Sequence, residues 1–96
     1  MYARLNLFQV ERGMRAKIEE LADQFAPRFR AQKGFKSVTF LFDDGVGEYG
    51  SLSLWDSKED AEMASAVLGG ELRQAAENMI KESPRLRVFE VYQART

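Results

Sequence analysis

Apolar and polar residues alternate along the first stretch, YARLNLFQV at 2–10, imperfectly but with many strand formers. The pattern predicts a strand with Arg4, Asn6, Phe8 and Val10 on one face and Ala3, Leu5, Leu7 and Gln9 on the other. Glu11-Arg12-Gly13 turns the chain, and from Met14 the apolar spacing lengthens to that of a helix. Met14, Ile18, Leu21, Ala22, Phe25 and Phe29 fall on one stripe. Pro27 predicts a kink or break near Phe25-Ala26, with helix resuming toward Gln32 and ending at Gly34. FKSVTFLFD at 35–43 reads as a second strand. Asp43-Asp44-Gly45-Val46-Gly47-Glu48 has hairpin chemistry, and residues 49–55 return as a third strand. Ser57 then has the character of an N-cap, with acidic residues in the turn that follows. A helix is expected from Lys58 to about Leu68. Gly69-Gly70 predicts a break, ELRQAAENMIKE at 71–82 a second helical piece, and Pro84 a stop. LRVFEVYQ at 86–93 alternates as a last strand.

The order β-α-β-β-α-β predicts an α+β domain of the ferredoxin-like kind, a four-stranded antiparallel sheet with both helices on one face. That leaves the other face uncovered. Leu5 and Leu7 point there, opposite Asn6 and Phe8, and a small monomer should not show that much apolar sheet to water. The economical solution is a homodimer joined through its sheet faces.

Composition narrows the chemistry. At 96 residues the chain makes a single domain, 1–96. Hydrophobic residues are 45% and charged residues 30%, a globular balance. Fourteen basic against fifteen acidic side chains give a net charge of −1, without a basic stripe. No nucleic-acid partner is expected. No apolar run approaches the ~20 residues of a membrane span, and no leader pattern opens the chain, so a cytoplasmic protein with no membrane partner is expected. There is no histidine and no cysteine. The usual general base, thiol nucleophile and commonest metal ligands are therefore missing, and no metal site or cofactor is expected.

The element order, Gly34-Phe35 at the start of the second strand, and Leu-Trp-Asp-Ser-Lys-Glu-Asp-Ala at 54–61 resemble the antibiotic biosynthesis monooxygenase (ABM) domain family. The resemblance runs over roughly residues 2 to 92. It implies the dimeric α+β barrel fold. It implies, as one activity in the family, a cofactor-independent monooxygenase that oxidises a small aromatic or quinol-like substrate with molecular oxygen. Other members degrade haem with an asparagine, a helical tryptophan and a histidine. Asn6 stands where that asparagine is expected, but the helical tryptophan position falls near Ala64 and there is no histidine. The resemblance therefore argues against haem degradation.

Asn6 is the candidate catalytic residue. A buried amide on this strand must find a hydrogen-bond partner, and its NH₂ is suited to a substrate carbonyl or a developing oxyanion. Trp55, Arg4, Phe8 and Phe25 are candidate substrate-binding residues. Trp55 sits at a strand-to-helix corner, where it packs a core or lines a pocket. Arg4 shares the Asn6 face, and an inward arginine calls for an anion. Two functions of different classes follow: the oxygenase, or a non-enzymatic dimeric module that binds a small ligand or assists assembly on the same fold.

Overall fold

The computed structural model describes residues 1–82 and 84–95. Six elements follow in the order β1 (Tyr2–Gln9), α1 (Arg15–Arg30), β2 (Phe35–Asp43), β3 (Glu48–Trp55), α2 (Lys58–Ala76) and β4 (Arg85–Glu90). The strands form one sheet in the order β2-β3-β1-β4, with every pairing antiparallel. This is the ferredoxin-like arrangement read from the sequence.

Register decides which side chains meet the helices. Asn6 stands opposite Ser51 and Leu86, and Arg4 opposite Ser53 and Val88. Val38 stands opposite Ser53, and Phe40 opposite Ser51. These residues share the helix-facing side, because side chains alternate along each strand. Two apolar clusters fill the space beneath the helices. One joins Phe25, Phe29, Trp55, Ala61, Ala64 and Leu68. The other joins Val10, Ile18 and Tyr49, with Phe8, Phe42 and Ile80 packed against it. The opposite side carries Leu5, Leu7, Leu41, Leu52, Leu54 and Phe89. Leu41, Leu52 and Phe89 are 36%, 36% and 37% exposed, so that side is apolar and uncovered in the single chain.

Both helices differ from expectation in the same direction. Pro27 lies inside α1 without dividing it, and the Ala31 N–H still reaches the Pro27 carbonyl at 3.1 Å. Phe25 and Phe29, on either side of the proline, are both buried, and their packing holds the turn together. Likewise α2 runs unbroken through Gly69-Gly70. Leu68 is buried and Leu72 packs against the same cluster, so one continuous stripe carries the helix across the glycines. The helix stops at Ala76, earlier than the expected 82. Beyond it the backbone is used differently: Ile80 bridges Val10, and the Lys81 N–H donates to the Gln9 carbonyl at 2.8 Å. This brings the segment after α2 back to the end of β1. The last strand is also shorter than the expected 86–93.

Candidate functional site

A cleft opens between β1 and the second half of α2, with a volume of about 130 Å³. Arg4, Asn6 and Phe8 form its floor on β1. Ser65, Gly69, Leu72 and Arg73 supply one wall from α2, and Ile80, Pro84 and Leu86 close the far side. The floor follows from strand alternation, which places residues 4, 6 and 8 on the same face. The wall follows from helical spacing, since Gly69 lies four residues after Ser65, and Leu72 and Arg73 three and four after Gly69.

Arg4 is the most unusual group there. It is 4% exposed. Its Nε donates to the Ser65 hydroxyl, which itself donates to the Ala61 carbonyl at 3.2 Å. Its Nη1 is buried and finds no hydrogen-bond partner among the described residues. Burial pulls its pKa below the ordinary arginine value. A guanidinium stays charged at any physiological pH. An uncompensated buried charge is costly, and it recovers stability only when an anion arrives. Two of the described lining residues, Arg4 and Arg73, are cationic and none is acidic. The cleft is therefore electropositive on a chain of net charge −1.

Asn6 is 7% exposed and lines the same cleft, two residues from Arg4 on the same face. The close approach of β3 at this point is set by Gly50, where any Cβ would collide with the Asn6 carbonyl oxygen. Phe8 supplies an apolar floor beside the two polar groups. The structure thus brings together Arg4, Asn6 and Phe8. Phe25 lines an adjoining crevice that also touches Asn6 and Phe8, but its volume is about 30 Å³. That is room for little more than a water molecule.

Trp55 lies elsewhere. It is fully buried in the first cluster, edge-on to Phe35 with ring centroids 5.6 Å apart, and it lines none of the described cavities. Its indole N–H donates to Ser53 Oγ at 2.9 Å, and Ser53 Oγ donates to the Arg4 carbonyl at 3.4 Å. Trp55 therefore helps fix the strand that carries Arg4 and stands outside these two cavities. Sequence reasoning missed Ser65 and Arg73. A signal for Ser65 was present: it is a hydroxyl within the buried stripe formed by Ala61, Ala64 and Leu68.

Residues 1–66, more than half of the chain, match the family model for antibiotic biosynthesis monooxygenase. The chain belongs to the ABM family. The matched part holds Arg4, Asn6, Trp55 and Ser65, whereas Leu72, Arg73, Ile80 and Leu86 lie beyond it. The polar floor thus lies within the matched residues.

Solved structures share the fold. A candidate antibiotic biosynthesis monooxygenase from Deinococcus radiodurans is 15% identical, with a TM-score of 0.83 over 100% of this chain and 97% of that one. SnoaB from Streptomyces nogalater, a cofactor-independent oxygenase, is 22% identical, with a TM-score of 0.78 over 97% of this chain and 94% of that one. Rv0793 from Mycobacterium tuberculosis is 14% identical, with a TM-score of 0.79 over 99% and 98%. At these identities the likeness is one of fold. No curated relative matches the chain.

Proposed function

We propose that this ABM-family protein is a cofactor-independent monooxygenase acting on a small aromatic or quinol-like substrate, held in the cleft between β1 and α2. The observation that carries the reading is the pairing of Arg4 and Asn6 on the cleft floor. Family membership and the fold shared with an oxygenase that needs no cofactor support it. Cavities of about 150 Å³ hold a benzene ring, so a cleft of this size suits a single ring.

The chemistry asks little of the protein beyond electrostatics. A phenol with a free ring position loses its proton to water, and the Asn6 amide and the positive field of the cleft stabilise the anion that forms. The electron-rich anion then passes an electron to molecular oxygen, and the radical pair combines to form a carbon–oxygen bond. Loss of water from the resulting hydroperoxide leaves a quinone. One oxygen atom enters the product and the other leaves as water, with the substrate supplying all the electrons. Asn6 donates a hydrogen bond to the oxygen atom where negative charge gathers. No side chain need act as general base, which fits the absence of histidine from the chain.

The apolar outer side of the sheet supports a homodimer, in which the sheet of a second copy covers Leu41, Leu52 and Phe89. Light scattering of wild type should give twice the 11.0 kDa chain mass, and Leu52→Lys should shift it toward one.

The functional test is oxygen uptake with a panel of monocyclic phenols and hydroquinones, followed by mass spectrometry of products formed under ¹⁸O₂. One labelled atom in a quinone product is expected. Asn6→Ala should fold normally and lose about a hundredfold in rate. A folded Asn6→Ala protein with full activity overturns the assignment. Absence of uptake with every phenol, alongside retained ligand binding, leaves the non-enzymatic binding module.

A further inference from the structure

The cleft is more strongly charged than oxidation of a neutral phenol requires. Phenols and hydroquinones are neutral at pH 7, yet the cleft floor holds a buried permanent cation with an unpartnered Nη1. A second arginine, Arg73, is exposed on the α2 wall of the same cleft. None of the described residues lining the cleft is acidic, and although Glu77 and Glu82 border Arg73 in an adjoining depression, neither lines the space beside Arg4. The second copy proposed above would cover the opposite side of the sheet, so its packing there supplies no counter-charge to Arg4. Arg4 lines the cleft, and the cleft is where an anion can approach its guanidinium.

The shape specifies more. Arg4 Nε is committed to Ser65 and Nη1 is enclosed, so a ligand that takes both terminal nitrogens draws that edge of the guanidinium toward the cleft. Such an edge matches the two oxygens of a planar carboxylate. Phe8, Leu72, Ile80 and Leu86 surround the polar pair with apolar surface. The cleft is thus polar at its floor and apolar around it, with room for one ring.

The geometry points to an aromatic carboxylate as the ligand: a single ring bearing a carboxylate, with that group held by Arg4 and the ring lying against Phe8 and Leu72. Arg73 draws the anion to the mouth. This rests on the cleft being the site proposed above, and it narrows the substrate from phenols in general to phenolic acids.

Anaerobic NMR titration tests it without turnover. The probes are 3-hydroxybenzoate and its neutral counterpart of similar size, 3-hydroxybenzyl alcohol. The acid should bind at least about tenfold more tightly, the effect of one charge-assisted hydrogen-bonded pair. It should shift the Arg4 Nε–H and the amides of Asn6 and Ser65. Arg4→Gln should abolish the preference, and Arg73→Gln should reduce it about two- to threefold with the floor intact. Equal binding of acid and alcohol by wild type overturns the inference, whether or not Arg4→Gln folds. So does a set of shifted amides away from β1 and α2, or inorganic phosphate displacing the acid at equal concentration. Oxygen uptake separates this inference from the reading beneath it. If 3-hydroxybenzyl alcohol binds as well as the acid and is oxidised at full rate, the oxygenase stands and the carboxylate falls. If the acid binds through Arg4 but no phenol is oxidised, the carboxylate stands and the oxygenase falls.

Discussion

At the Trp55 end of the sheet the helix-facing side is closed. The indole is fully buried, with Ala61 and Ala64 small enough to let α2 approach it and Phe29 and Leu68 filling the flanks. Two residues along, where Arg4 stands opposite Ser53, the same side of the same sheet is left open. There α2 presents Ser65 and Gly69 beside Leu72, and the floor carries a cation and an amide. Both regions are made by the same strands and the same helix. Where small and large apolar side chains interlock, the surface is stability; where buried polar groups lack protein partners, it is ready for a ligand. The two are physically joined, since the hydrogen bonds from Trp55 to Ser53 and on to the Arg4 carbonyl run from the packed region to the open one.

The contrast can be broken by substitution, and the largest effect belongs to the closed region. Trp55→Ala should cost about 3–5 kcal/mol of stability in urea unfolding. Arg4→Met should move the other way, gaining on the order of 1 kcal/mol because an uncompensated buried cation gives way to an apolar chain of similar length. Destabilisation by Arg4→Met would mean that its bond to Ser65 outweighs the burial cost, and the open region would then be structural too. Gly70→Ala sharpens the picture of α2. A Cβ there meets nothing within 4 Å, so the substitution should stabilise an unbroken helix by about 0.5–1 kcal/mol in the same assay. A hinge at Gly69-Gly70 would instead give a loss.

The smallest effect lies away from both regions, at the β2–β3 hairpin. Tyr49 donates its hydroxyl to Asp44 Oδ1 at 2.6 Å, and Arg15 reaches Asp44 Oδ2 at 2.6 Å. These two contacts, the tyrosine hydrogen bond foremost, hold the Asp44 carboxyl below the usual carboxylate range. A pKa lowered by folding adds stability that is complete above about pH 4 and is lost as the pH falls through the lower folded value. Thermal unfolding between pH 7 and pH 2.5 should therefore show a slightly shallower acid limb for Asp44→Asn than for wild type. Asp44 is solvent-exposed, which keeps the difference small.

Periodicity alone gave the element order and the face that Arg4, Asn6 and Phe8 share, because strand alternation leaves no freedom once the register is set. It misjudged Pro27 and Gly69-Gly70, where local breaking tendency was overruled by buried neighbours on the same stripe, Phe25 and Phe29 in one helix, Leu68 and Leu72 in the other. It placed the end of α2 too late because the pairing of Ile80 and Lys81 with β1 is a long-range contact that no local window contains. Trp55 was legible as a corner residue, while its seclusion from the cleft depends on how closely Ala61 and Ala64 bring the helix down. Arg73 was invisible as a site residue, since nothing in its local sequence says which surface arginine overlooks a cleft.

The most direct measurement is a crystal structure of the protein soaked with 3-hydroxybenzoate. The account predicts one ring in the cleft between β1 and α2, its carboxylate on the Arg4 guanidinium and its hydroxyl within reach of Asn6, with Trp55 unmoved in the core. Density for the acid elsewhere on the molecule, or an empty cleft with Arg4 paired to a protein carboxylate, would contradict it.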